Sequence, residues 1–80
     1  MPNMEKPKYD NDIYSTIRKN IKKYRKEKGI TAAELAEMVD LSHDYIRQIE
    51  SEKVSANFSL DTFYRIATAL NVSLDKFIQK

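Results

Sequence analysis

Apolar residues recur along this chain at helical rather than strand spacing, in short runs. Ile13, Ile17, Ile21 and Tyr24 form a one-sided stripe, which predicts an amphipathic helix with one face against a core. Lys and Arg are assigned to its opposite face. This helix is expected to begin near Asp12 and to close at Gly29, the only glycine in the chain, because glycine enters the left-handed region that ends many helices. Lys26 and Lys28 lie just before it, where positive charge suits the helix dipole. Residues 1–11 are polar, contain both prolines and show no periodicity. They read as a flexible N-terminal tail ahead of a domain at 12–80.

Beyond Gly29 one local pattern is used four times: an apolar residue, then a hydroxyl residue, then a second apolar residue five positions after the first. The instances are Ile30-Thr31 with Leu35, Leu41-Ser42 with Ile46, Phe58-Ser59 with Phe63, and Val72-Ser73 with Phe77. In each, the hydroxyl oxygen is placed to accept a backbone N–H left unpaired at a helix start, and the two apolar residues staple that start. Glu34, three residues after Thr31, completes a capping box. The pattern predicts helices at about 32–38, 43–50, 60–70 and 74–79. Together with the first helix they make an all-α, compact five-helix bundle. Phe63, Ile66, Ala67 and Leu70 are expected to form the core stripe of the fourth helix, with Leu74 and Phe77 continuing it.

Helices 2 and 3 are so tightly joined that they must cross steeply. Ala36 permits close approach, and Val39, Leu41, Ile46 and Ile49 supply the apolar filling. The outer face of helix 3 is then polar: His43, Asp44, Arg47 and Gln48. A short helix backed firmly and polar in front suits the major groove of duplex DNA.

The stretches IRKNIKKYRKEKGITAAELAEMVDLSHDYIRQIESEK and SLDTFYRIATALNVSLDKF resemble the Cro/repressor type of helix-turn-helix domain, also called the xenobiotic-response-element family. The resemblance implies a lambda-repressor-like bundle with the helix-turn-helix in helices 2 and 3, operator binding, and a homodimer. It implies an ion pair between Arg25 and Glu50 that joins helix 1 to the end of helix 3. Three positions depart from the family pattern. Asp40 replaces the frequent glycine of the turn; Ala32 replaces the glutamine that touches phosphate at the start of helix 2; Glu52 replaces the glycine after helix 3, ahead of a longer loop.

The chemistry of helix 3 assigns base contacts to His43, Asp44, Arg47 and Gln48. Imidazole can donate or accept at a base edge, carboxylate can accept from the cytosine amino group, guanidinium fits guanine and a carboxamide fits adenine. Phosphate contacts are expected from Thr31 and Ser42 at the helix starts, from the Tyr45 hydroxyl, and from Lys53, Ser55 and Asn57 in the loop after helix 3. Ile78 is an apolar residue with no core role, which places the expected dimer contact in the C-terminal region.

Charge sharpens the picture. The net charge of +2 hides a basic first third, +5 over residues 1–28 from nine Lys and Arg against four acids, and an acidic middle, −4 over residues 29–50 from one Arg against five acids. The basic segment supplies long-range attraction to phosphate or a solvated face. The chain has no cysteine and one histidine. It shows no Ser-His-Asp spacing, no phosphate-cradling glycine loop and no paired metal ligands, so neither enzyme, cofactor nor metal is expected. No apolar run suggests a signal peptide or a membrane span, which places the protein in the cytoplasm with double-stranded DNA as its partner. Two alternatives share the fold: a DNA-binding antitoxin that also grips a toxin, and a protein-interaction module that has lost DNA binding.

Overall fold

The computed structural model describes residues 12–51 and 57–80. The tail assigned to 1–11 lies outside the described residues, as do Lys53 and Ser55. Among the described residues five helices follow in order: α1 (Ile13–Lys28), α2 (Ala32–Val39), α3 (His43–Glu50), α4 (Leu60–Leu70) and α5 (Leu74–Phe77). α1 packs against α3, α4 and α5, while α2 packs against α3 and α4. Ile21, Leu35, Ile46, Ile49, Ile66 and Phe77 are sealed in the common core. Among the described residues, no helix is long and apolar enough to cross a membrane.

Three of the four connections are one device. α1, α2 and α4 each end on a left-handed residue, Gly29 (φ 78°), Asp40 (φ 58°) and Asn71 (φ 57°). The next residue, Ile30, Leu41 or Val72, sends its N–H back five positions to Arg25, Ala36 or Ala67. The left-handed residue itself donates to Lys26, Glu37 or Thr68. This is a Schellman closure, which satisfies the free carbonyls at a helix end and turns the chain sharply. Ile30, Leu41 and Val72 all pack against the core. Each is followed by the hydroxyl residue that opens the next helix, so one apolar side chain fixes both the exit and the entry.

The caps agree with the pattern at three of four sites. Thr31 Oγ1 accepts from the Glu34 N–H at 3.0 Å, and the Glu34 carboxylate accepts from the Thr31 N–H at 2.9 Å. Ser42 Oγ and Ser59 Oγ each accept an N–H three residues on, both at 3.1 Å. The fourth differs: Ser73 makes no side-chain cap bond, and α5 stops at Phe77 instead of running to 79. A single turn leaves little to cap. Leu74 also departs from expectation. It is exposed, while Phe77 three residues on is sealed, because one short turn can aim only one of them inward.

An edge-to-face series of rings, Tyr14–Phe58–Phe63–Phe77–Tyr24, has centroid spacings of 5.1, 6.3, 5.4 and 5.2 Å. It joins both ends of α1 to α4 and α5, in the geometry that aromatic quadrupoles favour.

Asp40 closes the α2–α3 turn with its Cβ in the left-handed region. Replacement by glycine removes that strain but raises the entropy of the unfolded chain. The expected balance for Asp40→Gly is a gain of about 0.5–1 kcal/mol, read as a higher thermal midpoint. A lower midpoint would mean that the Asp40 side chain contributes something the turn geometry does not require.

Candidate nucleic-acid interface

The turn brings α3 across α2 with its apolar side down. Ile46 and Ile49 are completely buried beneath it, and Ala36 on α2 is buried within the same unit. His43, Asp44, Arg47 and Gln48 are all exposed on the other side. Their spacing of one, four and five residues gathers them on one face. Arg47 Nη1 stands 3.9 Å from Asp44 Oδ1, with both side chains largely in solvent. That separation is loose, and an exposed pair of this kind contributes little to stability. Both groups are therefore open to other partners.

Thr31 and Ser42 sit at the starts of α2 and α3, both exposed. Their oxygens already accept the cap bonds, which leaves the Ser42 hydroxyl proton as a donor, while the Thr31 hydroxyl also serves the Glu34 carboxylate. Glu34 shares the start of α2. The Thr31 backbone N–H, and secondarily the Thr31 hydroxyl region, holds its carboxyl below the ordinary value of 4.5. Tyr45 is half-buried and packs against the core, so its ring is committed to packing. Asn57 is exposed just before α4. Exposed Lys19, Lys22, Lys23 and Lys26 line α1, and the Lys23 ammonium lies 5.1 Å from the Tyr24 ring centroid.

The expected strut is present. Arg25 Nε donates to Glu50 Oε2 at 2.6 Å and Nη2 donates to Oε1 at 3.0 Å. The remaining fork nitrogen, Nη1, donates to the Ile30 carbonyl at 2.8 Å. One guanidinium thus fixes the end of α1, the α1–α2 turn and the end of α3. A planar fork can do this where an ammonium cannot.

Arg18 corrects the assignment of every basic residue on α1 to the solvent face. It is only 4% exposed, and its Nη1 donates to the Ser51 carbonyl at 3.3 Å. The sequence held one signal for it: Arg18 precedes Arg25 by seven residues, two helical turns, so both share a face. Among the described residues no buried side-chain nitrogen or oxygen lacks a partner.

Residues 21–77 match the family profile described as Helix-turn-helix. The chain is 35% identical over 63 residues to the immunity repressor protein of Bacillus phage phi105, covering 79% of this chain and 42% of that protein. It is 33% identical over 64 residues to the HTH-type transcriptional regulator SinR of Bacillus subtilis (strain 168), covering 80% and 57%. The chain therefore spans about half the length of these relatives. The crystal structure of a mutant of the restriction-modification controller protein C.Esp1396I superposes with a TM-score of 0.72 at 33% identity, covering 84% of each chain.

Proposed function

Because the chain belongs to the helix-turn-helix family, we propose that it is a sequence-specific double-stranded-DNA-binding transcriptional repressor that reads the major groove with α3. The observation that carries this is the two-sidedness of α3: fully buried Ile46 and Ile49 behind, exposed His43, Asp44, Arg47 and Gln48 in front. Specific recognition needs side chains held in place before the bases arrive, and a helix seated on a packed core provides that. The four front residues contact base edges. Thr31, Ser42, the Tyr45 hydroxyl and Asn57 contact phosphates, and so do Lys53 and Ser55 beyond the described residues. The α1 lysines add long-range attraction that salt will screen.

A homodimer through the C-terminal region completes the reading. Leu74 and Ile78 leave apolar surface open there, being 38% and 49% exposed. Tyr64 and Leu60 leave separate apolar surface open on α4. Two α3 helices related by a twofold axis would read half-sites about one DNA turn apart.

Enrichment of bound duplexes from a random library tests the function directly. A common motif with inverted half-sites is the expected result, and a wild-type protein that enriches no sequence would refute the reading. On the enriched site, Gln48→Ala is expected to cost about 1–3 kcal/mol of binding and to relax preference at one base pair. Lys53→Ala should instead weaken all sequences alike. A base-substitution scan that leaves the Gln48→Ala preference unchanged would remove Gln48 from the reading set.

A further inference from the structure

The starts of α2 and α3 are both capped by a hydroxyl residue, yet an arriving anion meets them differently. At α2 the residue three positions after the cap is Glu34. Its carboxylate accepts the Thr31 N–H at 2.9 Å, while Thr31 Oγ1 accepts the Glu34 N–H at 3.0 Å. At α3 the equivalent residue is Tyr45, and the acid of the first turn, Asp44, faces Arg47. A helix start draws anions, because its N–H groups lack helical partners and the dipole is positive there. At α2 a carboxylate of the chain itself already sits on such an N–H. Thr31 and Glu34 are both exposed, and α2, AAELAEMV, carries no basic residue to offset the charge. The lowered carboxyl of Glu34 agrees with a place that favours the anion.

We propose that Glu34 is a brake on DNA affinity: its carboxylate occupies the anion seat at the start of α2, so that a duplex phosphate must approach Thr31 against a fixed negative charge. Two unit charges about 4 Å apart in a watery medium repel enough to lower affinity about fivefold. Phosphate contacts carry no sequence information. The brake therefore acts on every duplex alike and leaves base preference to the outer face of α3. The inference rests on the DNA-binding function proposed above, and it concerns the strength of binding at that same surface.

Glu34→Gln tests it, because glutamine can complete the same capping box without the charge. Glu37→Gln is the matched control. It removes the same charge from an exposed residue of α2 about 4.5 Å further along the helix axis. The full chain and both variants are titrated with random duplex over a range of salt concentrations, after circular dichroism shows equal helix content. Glu34→Gln should bind about fivefold more tightly at low salt, with a salt slope steeper by about 0.9, as for one more phosphate engaged. Glu37→Gln should stay within about twofold of the wild type. No gain for Glu34→Gln overturns the proposal, and so does an equal gain for Glu37→Gln, which would make the effect one of net charge.

Should Glu34→Gln lose helix, the wild type decides instead. The Glu34 carboxyl is titrated by NMR with and without random duplex. A titration moved to higher pH by the duplex supports a carboxylate crowded by phosphate, and an unmoved one overturns it. Failure of base reading would be seen separately, as a wild type that enriches no sequence while Glu34→Gln still gains on random duplex.

Discussion

Glu50→Ala is expected to destabilise the domain by about 3–5 kcal/mol, because it leaves the Arg25 guanidinium buried without its carboxylate. The side chains of Arg25 and Glu50 are only 11% and 7% exposed, so water cannot readily replace what is lost. An 80-residue chain has a total stability of only about 4–12 kcal/mol on the usual per-residue scale. The single replacement therefore brings the domain close to unfolding, although Glu50 touches no expected DNA contact. Urea denaturation measures it. The double variant Arg25→Met with Glu50→Leu should regain most of the loss, since a buried ion pair is stabilising mainly relative to a broken one. Arg25 also holds the Ile30 carbonyl, so part of the deficit should persist in the double variant. A loss below about 1 kcal/mol for Glu50→Ala would place the pair among ordinary surface ion pairs and remove it as the strut under α3.

The same pair shows how much was legible in the sequence. Its two members were named from the family resemblance, and the structure adds the third bond to Ile30. The helix starts were legible from chemistry alone, because a hydroxyl at an N-cap acts on atoms within three residues of itself. Thr31, Ser42 and Ser59 all behave so. The polar front of α3 was legible for a similar reason: burial of Ile46 and Ile49 dictates where the remaining residues of an eight-residue helix must point.

Arg18 was not legible in this way. Its residue type matches the exposed lysines beside it, and long cationic side chains can lie along a core or in water. What distinguishes it is a carbonyl 33 positions away, which comes within reach only when α1 packs against α3. The phase of α5 was hidden for another reason. Periodicity needs more than one turn to declare a face, and Leu74 and Phe77 both fit an inward stripe until three-dimensional packing chooses between them.

That choice sets the second large effect. Phe77→Ala is expected to cost about 3–5 kcal/mol, the range for truncating a buried aromatic ring. Phe77 is wholly buried, and its ring meets Tyr24 and Phe63 at 5.2 and 5.4 Å. Its own carbonyl, with that of Gln79, accepts from the Asn20 side chain at 2.6 and 2.8 Å. A four-residue helix has no stability of its own, so this ring and the Asn20 bonds are what hold α5 to α1. Losing the ring should release α5 along with the cavity it leaves.

Ile78→Ala provides the contrast. Ile78 is half exposed in the single chain, so its removal should change monomer stability by no more than about 0.5 kcal/mol while weakening self-association, if the C-terminal surface joins two copies. Urea unfolding of both variants, with sedimentation over a range of protein concentrations, separates the two roles. A Phe77→Ala protein that unfolds like the wild type would show that α5 is dispensable to the core. An Ile78→Ala protein that associates like the wild type would move the dimer contact off α5, towards the exposed Leu60 and Tyr64 of α4.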